Sequence, residues 1–266
     1  MLRSVFGKVV HDQWRLVLGW AAFSAIWPAM YVALYPSIGA LGELEKMLDQ
    51  FPPALREFFA SSSLNLSTPE GFLNMELFTF VAPLLILAYT VVVCGGATAG
   101  EEEKGTMDLL LANPVPRWRI VVEKSAAFVV GTVVIGIGMW LGAAAGAAAV
   151  GIDLDLWLVG QAITSAVLLG LALGGLALAL GAITGRRWLA AGVSLMVVVA
   201  GFFLNGLGAL VDWLKPWRPI SPFYQYISND PLSNGLDPGN VLVLVAWAVV
   251  GGVVAVIAFE RRDLAR

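Results

Sequence analysis

The sequence has very few of the residues from which most catalytic and metal sites are built. Among its 266 residues there is one cysteine, Cys94, and one histidine, His11. A single cysteine excludes an intrachain disulfide and a cysteine metal cluster. A catalytic Ser-His or Cys-His pair would need His11, which lies before the first long apolar stretch. We therefore expect no metal site and no catalytic residues in this chain.

Charged residues are scarce as well. Asp, Glu, Lys and Arg make up 13% of the chain and apolar residues 59%, whereas soluble domains contain about 25% charged residues. A water-soluble globule of this length would lack the polar surface needed to cover itself. The net charge of −3 gives no reason to expect a nucleic-acid partner. The composition favours an all-α integral membrane protein in contact with the lipid bilayer.

Six stretches without Asp, Glu, Lys or Arg are long enough to cross the ~30 Å hydrocarbon core as helices of about 20 residues. The strands of a membrane barrel would give a weaker, alternating pattern. The first stretch is longer than the roughly 7–15 apolar residues of a signal peptide, so we interpret it as an uncleaved helix. The predicted spans of this single domain (1–266) are residues 16–34, 77–99, 125–150, 156–184, 188–211 and 241–259.

The distribution of Lys and Arg predicts the orientation. Of the 16 such residues, all but Lys46, Arg56, Lys215 and Arg218 fall on the side of the spans that holds both chain ends. Loops rich in Lys and Arg stay in the cytoplasm. We therefore expect both termini in the cytoplasm and a location in a plasma membrane. Abundant Ala, Val and Gly point to a prokaryotic source, and so to the inner membrane.

Two segments outside the spans have helical patterns of their own. Residues 1–15 carry apolar side chains on one face, which predicts an amphipathic elbow helix in the membrane interface; the alternative is a plain extension of the first span. Between the first two spans, apolar residues at helical spacing predict short helices on the outer face. The run Ser67-Thr68-Pro69-Glu70 predicts a helix start, with a hydroxyl cap, an early proline and an acid in the first turn.

Residues 100–124, between the second and third spans, carry the strongest local pattern. Thr106 can cap a short helix, Pro114 ends it, and Pro116 begins the next helix. Met107, Leu110 and Leu111 share one face at i, i+3 and i+4 spacing. The sequence thus predicts a short helix beneath the membrane with an apolar surface.

Three carboxylates precede that helix. Glu101, Glu102 and Glu103 are expected at the end of the second span, where a negative charge is unfavourable by about 0.3–1 kcal/mol each. Basic side chains should therefore neutralise them. Candidates within the loop are Arg117, Arg119 and Lys124, and the alternative is a partner protein.

The spans themselves contain two further patterns. Glycines at four-residue spacing let helices approach closely; they predict either a subunit interface or packing within one chain, and they are Gly138, Gly142, Gly146, Gly170 and Gly174. A second set of side chains could line a transport path, although most such aromatic residues simply pack in a core; these are Phe78, Tyr89, Thr90, Phe202, Phe203 and Asn205. Asn205 is the most informative of them because an amide in lipid requires a partner.

The loop resembles that of ABC-2 type permeases, the membrane subunits of ATP-binding-cassette exporters. The resemblance rests on Glu101, Gly105-Thr106, Leu110-Leu111, Pro114-Val115 and Arg117, with further agreement at Ser67–Phe72, Ser221–Phe223 and Arg261–Leu264. It implies six spans, an elbow helix, a coupling helix between spans two and three, and short re-entrant helices between spans five and six. It also implies that a separate ATPase is contacted by Glu101, Gly105, Thr106, Met107, Leu110, Leu111, Pro114 and Arg117.

The sequence contains no G-x-x-x-x-G-K-[S/T] phosphate-binding loop. ATP and Mg are therefore expected on the ATPase partner, with a second copy of the permease or a related permease completing the transport path. Two alternatives stay open. An ion-coupled carrier usually needs an ionisable residue within the spans, and the predicted spans have none. A non-transporting signalling or immunity subunit of the same type cannot be distinguished by sequence.

Overall fold

The computed structural model describes residues 4–37, 68–103, 105 and 116–262, and these residues form helices and connecting turns without any strand. Within this described part of the chain, six helices are by length and composition able to cross a membrane, in agreement with the predicted number of spans. They are α1 (Val5–Leu34), α2 (Pro69–Gly95), α4 (Arg117–Val150), α5 (Leu156–Thr184), α6 (Arg187–Leu210) and α9 (Pro238–Arg261). The shorter helices are α3 (Ala99–Glu103), α7 (Pro222–Ile227) and α8 (Pro231–Asn234), with 3-10 turns at Tyr35–Ser37 and Lys215–Ile220.

Helix α5 lies at the centre of the bundle. It packs against α2, α4, α6 and α9, and Leu169 and Leu173 are fully buried on it. Its glycines allow close neighbours: a methyl group added at Gly170 would collide with Ile86 of α2, and one added at Gly174 with Phe128 of α4. The glycines of α5 thus serve packing within one chain.

Helices α1 and α4 run parallel along almost their whole length. A side chain added at Gly138, Gly142 or Gly146 would collide with the backbone of Ala21, Ala25 or Ala29 respectively. The offset of 117 residues is the same in all three pairs, and it also separates Phe6 from Glu123, which are hydrogen-bonded at the helix starts. Of the two explanations for this glycine pattern, packing within the chain is therefore the one that the structure supports.

The prediction of a separate elbow helix is not met in this structure. Helix α1 is continuous from Val5 to Leu34, so its first turns extend the first span. The hydroxyl of Ser4 accepts a hydrogen bond from the Gly7 N–H, and the Phe6 N–H donates to the Glu123 carboxylate at 2.7 Å. These contacts hold the start of α1 against α4, where an interfacial helix would turn away.

Helix α2 begins where the sequence predicts. The Thr68 hydroxyl accepts a hydrogen bond from the Gly71 N–H at 3.1 Å, and Pro69 and Glu70 occupy the first turn. From Asn74 to Val81 the helix widens into π-helical turns, directly before Pro83, which has no N–H to donate to the preceding turn. The helix ends at Gly95, four residues before the predicted Ala99.

The segment between α6 and α9 contains short helices, as the resemblance implied, and side-chain hydrogen bonds fasten it to α5 and α2. The Tyr226 hydroxyl donates to the Phe78 carbonyl at 2.7 Å, and burial raises the pKa of this phenol. The Ser165 hydroxyl donates to the Tyr226 carbonyl at 2.8 Å. Asn74 donates to the buried carboxylate of Asp230 at 2.5 Å. The segment is thus part of the bundle.

Replacement of Gly142 by leucine tests the α1–α4 packing. The added side chain would collide with the Ala25 backbone, so we expect a loss of about 1–3 kcal/mol of stability from overpacking. Thermal unfolding of the purified protein in detergent measures the effect. Gly252→Leu is the matched control because a side chain there meets no atom within 4 Å. Equal unfolding temperatures for the two variants would contradict the close α1–α4 contact.

Candidate functional site

The three consecutive carboxylates lie on their own helix. Helix α2 ends at Gly95–Gly96, and after a short turn Glu101, Glu102 and Glu103 form part of α3. The sequence prediction that they end the second span is therefore wrong. Glu101 and Glu102 occupy the first turn of α3, where the helix dipole favours negative charge.

Each of these three carboxylates, which we call the carboxylate cluster, binds a different helix. Glu101 pairs with Lys124 of α4 at 3.1 Å between Oε1 and Nζ. Glu102 accepts two hydrogen bonds, of 2.8 and 3.2 Å, from the guanidinium of Arg262 after α9. Glu103 accepts one from the backbone N–H of Arg187 at the start of α6, at 2.9 Å. The cluster thus joins α3 to the ends of three spans.

The expected basic partners are found in part. Lys124 is 5% exposed and also donates to the Ala97 carbonyl. Arg119 pairs with Glu123 on its own helix, at 2.6 Å. Arg117 donates to the backbone carbonyl of Arg262 at 3.0 Å. Of the three predicted basic partners, Lys124 is the one that forms an ion pair with the cluster in the part of the chain that the structure describes.

Sequence reasoning did not identify Arg262 as a partner. Its guanidinium lies against Gly185, which has a φ of +62° and where any side chain would collide with it. It also donates to the Ala182 carbonyl at 3.3 Å. A separation of 160 residues from Glu102 leaves no local pattern that could have revealed this pair.

The predicted coupling helix lies outside the described residues, as do Thr106, Met107, Leu110, Leu111 and Pro114. The two positions that flank it are described. Gly105 is exposed with a φ of +67°, and its N–H donates to the Glu102 carbonyl at 3.0 Å. Pro116 caps α4, as predicted, and Arg117 is its first residue. Both flanks are thus anchored next to the carboxylate cluster.

The six candidate path residues are not brought together. Phe202 and Phe203 line an apolar groove of about 490 Å³ between α2 and α6. We call this space, bounded mainly by Leu84, Ala88, Val92, Ala191, Leu195 and Val199 with the two phenylalanines, the α2–α6 groove. The groove lies at the surface of the chain.

The other four residues lie elsewhere. Phe78, Tyr89 and Thr90 are buried inside the bundle, and the Thr90 hydroxyl donates to its own helix at Leu87. Asn205 does not line the groove, and its Oδ1 atom is buried without a hydrogen-bond partner among the described residues. Their proposed role in a transport path stays a prediction.

Comparison with known proteins places nearly the whole chain in a known family. The model of the family described as "ABC-2 family transporter protein" matches residues 5–264. Two curated relatives are the proteins of Escherichia coli strains K12 and O157:H7 named "Probable multidrug ABC transporter permease YbhR". Each is 33% identical over 76 residues, which cover 25% of this chain and 21% of the relative. The aligned part is thus about a fifth of those relatives.

Replacement of Arg262 by glutamine tests the pair with Glu102. The change leaves a partly buried carboxylate without its cation, so we expect a loss near the lower end of the about 1.5–3 kcal/mol typical of hydrogen bonds to charged groups. Thermal unfolding in detergent measures the loss.

Two further variants control this test. Arg261→Gln removes the neighbouring charge and should change little. In a double-mutant cycle, Glu102→Gln combined with Arg262→Gln should cost less than the sum of the single changes. Additive losses would show that the two side chains do not interact.

Proposed function

Because the chain belongs to the ABC-2 family of transporter proteins, we propose that it is the permease subunit of an exporter that is driven by ATP hydrolysis in a separate subunit. Two permease chains, identical or related, would form the transport path. The absence of a phosphate-binding loop in the sequence supports a separate ATPase. The name of the E. coli relatives, multidrug permeases, supports export of apolar or amphipathic compounds.

The observation that carries this proposal is the carboxylate cluster at the base of the loop 104–115. Residues on both sides of this loop are bound to other helices: Glu102 and Glu103 before it, Arg117 and Lys124 after it. A force applied to the loop would therefore reach α4, α6 and α9 together. This is the mechanical connection that a coupling helix requires.

We propose that the end of the bundle with the carboxylate cluster faces the cytoplasm. Hydrogen bonds hold the start of α1 to α4, and α4 to the end of α9, so the two ends of the described chain lie at this same end. Most Lys and Arg residues fall on this side of the spans, which supports the orientation. An ATPase in the cytoplasm would then reach the loop directly.

The energy source acts by favouring one conformation. ATP binding between two ATPase subunits would draw the two coupling loops together, and the helices joined by the carboxylate cluster would follow. A ligand shifts such an equilibrium only by its difference in affinity for the two states, and a change from 1:99 to 99:1 needs about 5.5 kcal/mol. The contacts between the coupling loop and the ATPase must therefore be strong enough to transmit a free-energy difference of this size to the spans.

Co-purification tests for the ATPase partner. We expect the tagged chain, extracted from its native membrane in mild detergent, to retain a nucleotide-binding subunit with ATPase activity. In sealed vesicles, transport by this complex should require ATP. Transport by the chain alone, without ATP, would replace the proposal by an ion-coupled carrier.

A charge in the predicted coupling helix tests its contact with the ATPase. We expect Leu110→Asp to lower ATP-driven transport about tenfold or more, because loss of an anchor side chain in an interface costs about 2 kcal/mol. Leu109→Asp is the control, since the pattern puts it on a different face of that helix from Met107, Leu110 and Leu111. Unfolding temperatures should be equal for both variants. Normal transport by Leu110→Asp would exclude this helix from the mechanism.

A further inference from the structure

A second cavity lies beside the carboxylate cluster, at the end of the bundle where α1, α2, α4 and α6 meet. It has a volume of about 490 Å³. We call it the basic pocket, because its charged side chains are three cations and a single carboxylate, namely Lys8, Lys124, Arg187 and Glu101. Apolar side chains such as Leu16, Val92 and Phe128 form the rest of its wall.

Two of the three cations are not neutralised. Glu101 already pairs with Lys124 at 3.1 Å. Lys8 is exposed, and its charge repels that of Lys124. Neither the Lys8 ammonium nor the Arg187 guanidinium has a hydrogen bond or ion pair with any residue that the structure describes. The pocket therefore has an excess of positive charge.

The Arg187 side chain is directed along the pocket wall by its packing. Its Nε atom lies 3.0 Å from where a Cβ atom of Gly96 would be, and its Cδ atom lies 4.0 Å from where a Cβ atom of Gly100 would be. Its backbone N–H is bound by Glu103 at 2.9 Å. The Arg187 side chain thus occupies space that is open because Gly96 and Gly100 have no side chains.

The basic pocket adjoins the α2–α6 groove. Val92 lines both cavities. On α6, Ala191 lies one turn after Arg187, and both Ala191 and Gly192 line the groove. From Ala191 to Phe203 the groove follows α6 for about 18 Å at 1.5 Å per residue. This length is close to half of the ~30 Å hydrocarbon core. Together the two cavities form a cationic end with an apolar extension one leaflet long.

We propose that the basic pocket and the α2–α6 groove together bind one phospholipid with an anionic headgroup. The phosphate would lie between Lys8 and Arg187, and an acyl chain would follow the groove toward Phe203. Charge complementarity selects this occupant, because cationic pockets between membrane helices bind anionic headgroups. The apolar extension favours a lipid over free phosphate. The binding does not depend on the ATPase or on transport.

Native mass spectrometry of the purified full-length chain tests the proposal. The probes are phosphatidylglycerol and phosphatidylcholine with identical acyl chains, each titrated in detergent. We expect clearly tighter binding of phosphatidylglycerol. Arg187→Gln and Lys8→Gln should each weaken it about fivefold, the effect of one basic residue near an anionic surface, and should leave phosphatidylcholine binding unchanged. Arg186→Gln is the matched control, since Arg186 is an exposed neighbour outside the pocket.

A second pair of variants tests the groove. A side chain at Gly192 or at Gly252 would meet no atom within 4 Å, but Gly192 lines the groove and Gly252 does not. We expect Gly192→Phe to weaken phosphatidylglycerol binding and Gly252→Phe to leave it unchanged, with equal unfolding temperatures in the absence of lipid.

Several outcomes would overturn the proposal. Equal affinity for the two lipids, or equal effects of Arg186→Gln and Arg187→Gln, would exclude recognition of the headgroup by this pocket. Full displacement of the lipid by millimolar inorganic phosphate would indicate a site for a free anion. Disulfide formation between two copies of Gly192→Cys in the native membrane would show that a second chain covers the groove; the natural Cys94 is buried and does not interfere.

Discussion

The carboxylate cluster on α3 is the interaction on which the organisation of this end of the protein depends. The three spans that it contacts, α4, α6 and α9, each have an end here. The pairs of Glu101 with Lys124 and of Glu102 with Arg262, together with the hydrogen bond that Glu103 accepts from the backbone of α6, add directional polar contacts to the apolar packing of these helices.

The position of the cluster in the chain gives it a second importance. It lies at the start of the segment that the family resemblance assigns to the ATPase, which runs from Glu101 to Arg117, and Lys124 lies two turns further along α4. The polar groups are shielded in part by the ends of the helices, where the attraction between charges is stronger than in bulk water. A loop held at both ends in this way would transmit a displacement to the spans if it served the proposed coupling function, whereas long unpaired linkers would absorb it.

The number of spans and the starts of α2 and α4 could be predicted from sequence because they follow from local chemistry. A long apolar run must form a helix in lipid, since its backbone groups have no other partners, and Thr68 with Pro69 forms a cap whatever the rest of the chain does. The pairing of Glu102 with Arg262 depends on the arrangement of the whole bundle and has no local signal. The α2–α6 groove is of the same kind. Every face of each span carries apolar residues, and the sequence therefore does not distinguish the face in contact with lipid from the face in contact with another helix. The glycines of α4 are a further example. Their spacing predicted that another helix packs closely against them, but only the structure identifies that helix as α1.

The three members of the cluster use three chemically different partners, which has a consequence for how the protein can change during evolution. Glu102 and Arg262 form a bidentate ion pair. A substitution at one of these positions in a related protein should therefore be accompanied by a substitution at the other. Glu103 binds only the main chain of residue 187, and any amino acid with a free amide hydrogen satisfies it. The contact with Glu103 therefore does not restrict which side chain occupies position 187. In related proteins this side chain is free to vary with the lipids or compounds that each protein binds.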